Sequence, residues 1–189
     1  MHTHSGPTTR LMTLLAASLT ATACSDLGFG PGWDDPQIVT DQASYTARVI
    51  EENGTWTQYG FTLVARFTNK TKDDLYLGRC FPDTPIPIYG VKSVDDPEGW
   101  GAGYSFAWAC VGENGFLIEP GESRVDTLQM HGPNAWSGKT GEPYGVLEGR
   151  FRLVYSVRYC LDCRDRPPEE LRVSNVFRVT LADEVPGHE

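Results

Sequence analysis

Between residues 149 and 159 the bulky apolar side chains recur at every second position. Phe151, Leu153, Tyr155, Val157 and Tyr159 fall on one face, and Arg150, Arg152, Val154, Ser156 and Arg158 on the other. A period of two marks a strand with one face buried, and the spacing predicts a central strand here. Weaker runs look like partners for it. Residues 44–51 place Tyr45, Ala47 and Val49 on one face. Residues 61–69 turn Phe61, Leu63, Ala65 and Phe67 one way and Thr62, Val64, Arg66 and Thr68 the other. Residues 75–80 predict a short strand, and 115–118 and 124–130 two more, the last of mixed face. Residues 171–181 predict the closing strand, with Asn175 interrupting its apolar face.

Turn chemistry separates these runs. Asn53-Gly54, the polar stretch 69–74 and Pro120-Gly121 all favour tight reversals. Prolines at 82, 85, 87 and 97 bar long central strands from the middle of the chain. Residues 86–91 and 104–111 are expected as edge strands, the second with Tyr104, Phe106, Trp108 and Cys110 on one face. No run of ten or more residues has a helical period, and no internal repeat occurs. About seven to nine short strands with turns between them predict an all-β, antiparallel sandwich. The domain is expected over 41–182, with a frayed tail at 183–189.

The first residues follow other rules. Arg10 is their only charge; the apolar run 11–19 and the small residues Ala21, Thr22 and Ala23 follow, then Cys24. That order describes a secretory signal, and the run is too short to span a bilayer. A Cys directly after the small residues resembles a bacterial lipobox, although Ala21 stands where that family usually has Leu. The resemblance implies a signal peptide at 1–23, acylation of Cys24 and a membrane partner reached only through the lipid. Two or more acyl chains hold stably, each buried CH2 contributing about 0.8 kcal/mol. Ser25 after the Cys resembles the release signal that directs such lipoproteins to the outer membrane, facing periplasm or exterior. Residues 24–40, rich in Gly, Pro and Asp, are expected as a flexible tether.

Composition narrows the functions. The chain carries −9, and losing Arg10 with the signal takes the mature protein to −10. An acidic surface argues against nucleic acid as a partner. Five cysteines less Cys24 leave four, an even number suited to an oxidising compartment. Cys80 and Cys110, each in or at the end of an expected strand, form the favoured disulfide; it closes a loop of about 31 residues and is worth about 3 to 4 kcal/mol on the chain-entropy estimate. Cys160-Leu-Asp-Cys163 is a C-x-x-C. As a redox centre it needs a helix amino terminus or cations to lower a thiol pKa, and Arg158, Arg164 and Arg166 are near in sequence. It follows a strand and leads into prolines, however, which favours a small structural disulfide. The alternative pairings exchange these cysteines with Cys80 and Cys110.

Catalytic signatures are not evident: no nucleophile elbow, zinc-protease helix or phosphate loop occurs, and the sequence predicts neither enzyme, metal nor cofactor. Asp73-Asp74 and Asp95-Asp96 lack the alternating spacing of a calcium loop and read as solvated turns. Trp100, Trp136 and Tyr144 sit in Gly- and Pro-rich loops, where aromatics serve either as anchors for a protein or glycan ligand or as plugs of the core.

Three landmarks carry a second resemblance: Val64-Ala-Arg-Phe-Thr-Asn69 before a polar turn, the apolar-Glu-Pro-Gly-Glu turn at 118–122, and Leu147-Glu-Gly-Arg-Phe151. They resemble immunoglobulin-like domains of exported bacterial proteins, and their order is also similar to the BsuPI-type proteinase-inhibitor domain. In the first family a Tyr opens the penultimate strand; here Phe151 holds that position. The resemblance implies an immunoglobulin-like sandwich acting as a binding or structural module of the cell envelope. The alternatives are a proteinase inhibitor presenting the 81–100 or 131–145 loop and, from another class, a redox protein using Cys160 and Cys163.

Overall fold

A computed structural model describes residues 35–52, 57–95, 103–104, 114–133, 145–163 and 165–182. These residues form ten strand segments: β1 (Ile38–Thr40), β2 (Ser44–Glu52), β3 (Thr57–Thr68), β4 (Leu75–Arg79), β5 (Tyr89–Ser93), β6 (Asn114–Ile118), β7 (Ser123–Gly132), β8 (Gly149–Tyr155), β9 (Val157–Arg158) and β10 (Phe177–Leu181). A single 3-10 turn, η1 (Glu169–Leu171), is the only helix among them. The fold is all-β and sandwich-like, with two mostly antiparallel sheets.

β3 and β7 pair in one unbroken antiparallel register, from Tyr59 opposite Gly132 to Thr68 opposite Ser123. β2 joins this ladder to the opposite layer. Over Ser44 to Ala47 it runs parallel to β10, and from Arg48 onward it pairs antiparallel with β3. β10 pairs with β8, and β8 with β5. The three-stranded sheet has the order β6-β4-β9. β8 and β9 are one line of chain interrupted at Ser156, so β5 and β4 serve as successive partners along it. At the join, Gly78 N–H donates to Ser156 O (2.8 Å) and Ser156 N–H to Ile88 O (3.0 Å).

The alternating faces meet in the middle. Phe61, Leu63, Ala65 and Phe67 of β3 are buried, as are Leu128 and Met130 of β7 and Phe151, Leu153, Tyr155 and Val157 of β8 and β9. Phe61 lies 6.4 Å from Phe177, and Phe67 6.4 Å from Tyr155, which ties the two layers together. Each such side chain contributes about 1.5 to 3 kcal/mol on leaving water. Phe151 has no hydroxyl for the backbone of the preceding turn. Tyr104 supplies one instead: its ring stands edge-on to Phe151 at 5.9 Å, and its hydroxyl donates to Leu147 O at 2.9 Å. The Pro120-Gly121 turn forms as its sequence requires, with Gly121 at φ +81° and Glu122 N–H donating to Glu119 O at 3.0 Å.

Several expectations are corrected. The described fold begins before Asp41, because Ile38 within the expected tether is fully buried in β1. Val49 is 46% exposed, since a register shift between Val49 and Glu51 breaks the face that Tyr45 and Ala47 begin. The edge strand expected at 86–91 starts at Tyr89; Pro87 has no N–H to give a ladder. Tyr159 ends outside β9 and is 38% exposed. The closing strand spans only Phe177–Leu181. The Asn175 side chain accepts from Thr40 N–H and donates to Thr40 Oγ1, both at 2.9 Å, which draws the chain before β10 toward β1.

Candidate functional site

A groove of about 450 Å3 opens on the outer face of β5 and β8. Strand alternation makes its floor. Tyr89 and Tyr155 point into the core, so their neighbours Gly90, Lys92, Val154 and Ser156 face outward. The far wall is the connection after β9. It arcs over this face through Pro167, which is buried, and η1, then rejoins β8 where Arg172 O accepts from Tyr155 N–H at 2.9 Å. Arg166, Glu169 and Arg172 of that connection line the groove. Gly90 leaves its centre open: a Cβ there would meet no atom within 4 Å.

The lining is basic although the chain is acidic. Lys92 Nζ pairs with Glu169 Oε1 at 2.8 Å. This hydrogen bond, with the charges of Arg172 and Arg152, holds the Glu169 carboxyl below its ordinary range, against a smaller opposing effect of burial. Arg172 Nε donates to Pro167 O at 2.8 Å and so fixes the wall. Arg152 is half-buried beside it; Nη1 donates to Ser174 O at 2.7 Å, and burial pulls its pKa below the usual guanidinium value. Arg166 is exposed and forms no hydrogen bond or ion pair with the described residues. Three cations therefore face one carboxylate across an apolar floor.

The C-x-x-C is closed. Cys160 and Cys163 are disulfide-bonded, with Cα atoms 5.1 Å apart. Leu161 between them packs over Gly115, where a Cβ would come within 2.7 Å of Leu161 Cδ2. Arg158 Nη1 donates to Leu161 O at 3.1 Å, so a nearby cation is engaged with the loop backbone. The pair thus clips the start of the groove wall onto the β6-β4-β9 sheet. Cys80 is also disulfide-bonded, to a partner outside the described residues. Cys110, its expected partner, lies outside them too, as do Cys24, Trp100, Trp136 and Tyr144.

A second constellation closes one end of the core. Phe116 lies between two guanidinium groups, that of Arg124 at 3.6 Å from its ring centre and that of Arg79 at 4.7 Å. Arg124 pairs with Asp126, only 4% exposed, through Nε (2.9 Å) and Nη2 (2.8 Å). Tyr155 Oη approaches Asp126 at 3.4 Å. Asp126 occupies an inward position of β7, where the alternation otherwise supplies Leu128 and Met130. Asp95, one of the acidic turn residues, accepts from Arg150 Nε, Nη2 and backbone N–H and is held below its ordinary pKa by them.

Sequence reasoning missed the groove. Its cations are separated by up to eighty positions, Lys92 against Arg166 and Arg172, and no spacing rule joins them. Local charge gave no signal either: residues 160–172 hold Arg164, Arg166 and Arg172 beside Asp162, Asp165, Glu169 and Glu170, so the connection reads as mixed charge. No protein-family model matches the chain, and no curated protein matches its sequence.

Proposed function

We propose that this protein is an exported, lipid-anchored, immunoglobulin-like module of the cell envelope that binds a ligand in the groove over β5 and β8. The observation that carries the reading is the groove itself: an open volume walled by a chain segment that a disulfide, two prolines and the Arg172–Pro167 hydrogen bond hold in place. About 300 to 1,000 Å3 is the size range of small-ligand sites, and few such sites occur per protein. Support for the anchor is the order Arg10, apolar run, small residues, Cys24. Support for the immunoglobulin-like form is the all-β, sandwich-like architecture, in which β2 pairs first with β10 and then with β3, together with the three sequence landmarks.

Intact mass of the protein from its native membrane tests the anchor and the cross-links together. A terminus at Cys24 carrying acyl mass, with the other cysteines unreactive to alkylation until reduced, is the expected result. A start elsewhere without lipid overturns the anchor. Ready alkylation of Cys160 or Cys163 without reductant overturns a structural role for that pair and favours redox chemistry.

A second reading, proteinase inhibition through the 81–100 loop, draws support from one observation. Phe81 is 54% exposed at a turn that Thr84 closes twice: Phe81 N–H donates to Thr84 Oγ1 and Thr84 N–H to Phe81 O, both at 3.1 Å. A preorganised aromatic at a loop tip is a common protein-binding anchor. On this reading stoichiometric protein blocks a protease with an apolar primary pocket and Phe81→Ala removes the inhibition; a full panel of unaffected proteases overturns it.

A further inference from the structure

Charge and shape in the groove do not match the rest of the chain. The whole sequence carries −9, yet Lys92, Arg166 and Arg172 converge on one groove with only Glu169 to oppose them. Random placement in an acidic chain does not favour such a cluster, and like charges held together cost free energy unless something answers them. Glu169 answers Lys92, at 2.8 Å. Arg172 spends its Nε on Pro167 O, and no hydrogen bond from its two Nη groups engages the described residues. Arg166 is exposed at the rim. Between these heads and the strands lies an apolar floor of Val154 and the bare backbone of Gly90.

We propose, on the reading of the groove as the module's ligand site, that it selects a small organic anion: an apolar body over Gly90 and Val154, and a carboxylate answered by Arg166 and Arg172. Guanidinium groups suit this role because their planar fork bonds a carboxylate through two parallel N–H donors. The volume of about 450 Å3 fits an anion of drug-like size and not a folded partner. The Lys92–Glu169 pair stands at the edge of the site and sets the sign of what enters: a cationic ligand meets three positive charges, and a second carboxylate there has Lys92 to compete for.

The structure supplies its own control. Gly90 has ordinary backbone geometry and open space where a side chain would go, so Gly90→Trp fills the groove without disturbing the pairing of β5 with β8. Arg166→Glu reverses one rim charge at an exposed position that holds nothing else in place. The probes are naphthoate and its neutral amide, naphthamide, which share one ring body. Each is titrated into the full chain in detergent, with detergent alone as blank, and followed by two-dimensional amide NMR. Naphthoate is expected to move the Gly90, Val91 and Val154 amides saturably, and naphthamide to bind about tenfold more weakly. Arg166→Glu weakens naphthoate by about tenfold and leaves naphthamide unchanged, while Gly90→Trp abolishes both. Equal binding of the two probes, lost in Gly90→Trp, overturns the anion selectivity and leaves the groove as a ligand site. Absence of saturable shifts for either probe, or shifts that survive Gly90→Trp, overturns the groove as the site altogether.

Discussion

The β3–β7 ladder and the line formed by β8 and β9 are both long, alternating strands, and they are held differently. β3 and β7 match residue for residue over ten pairs, and every outward position except Gly60 carries a side chain at least partly exposed. β8 and β9 have no single partner of that length. β10 covers one part, β5 another and β4 a third, with a chain excursion leaving between β4 and β5 and another returning after β9. The regular ladder gives a stable wall with little relief. The divided one gives excursions that stand off the sheet, and both the groove and the exposed Phe81 turn are made by them. In this fold pairing continuity supplies stability, and its interruptions supply surface.

The sharpest way to break that comparison is through the core the two walls share. Phe151 is fully buried between Tyr104 and Phe177, at 5.9 and 6.3 Å. Phe151→Ala should cost about 3 to 5 kcal/mol in urea unfolding, because the cavity adds to the lost transfer term. A loss under about 1 kcal/mol would mean that the layers are not packed as described.

Next in size is the charged residue that the regular ladder turns inward. Asp126→Asn keeps the shape but leaves Arg124 without its anion, and should cost about 2 kcal/mol. If the pair only repays its own desolvation, replacing both partners by Leu and Met restores most of that loss. A double replacement as unstable as Asp126→Asn would show that the ion pair itself stabilises the ladder.

The divided wall depends on a staple instead. Replacing Cys160 and Cys163 by Ser should cost about 2 kcal/mol on the chain-entropy estimate for so short a loop. Amide exchange should rise in 160–172 and not in β3 or β7. Uniform exchange across both walls would remove the distinction between them.

What could be read from the sequence follows the same division. β3 and β8 declare themselves by period two, and the Pro120-Gly121 turn by its chemistry, because local pattern and final environment agree there; β7 reads only as a strand of mixed face, since Asp126 takes one of its inward positions. β1 was hidden in Ile38-Val39-Thr40, too short for a period and preceded by turn residues. The break before β10 was hidden as well: Asn175 interrupts an apolar face, but only the structure shows Thr40 answering it from 135 positions away. The groove needs Lys92 and Arg172 to meet across the outer face, a tertiary event without a local signature. The second disulfide was legible as a motif, and its clip over Gly115 was not.

The smallest effect tests the seam where β1 passes into β2. Burial works against ionisation of Asp41, but the Tyr45 hydroxyl (2.7 Å) and Val64 N–H (3.0 Å) both donate to Oδ1. The balance holds the carboxyl below its ordinary value of 3.8. A depressed pKa in the folded state means that the ionised form is the one folding favours. The contribution is therefore complete above the unfolded value and fades as pH falls through the folded one. Asp41 is exposed, so solvent screening leaves about 0.5 kcal/mol. Asp41→Asn should lower stability by that amount at neutral pH, and the gap to the parent chain should close below pH 3.8. A gap unchanged in acid would assign the loss to the shape of the turn; a gap that closes assigns it to the carboxylate that holds β2 at the crossing between the two walls.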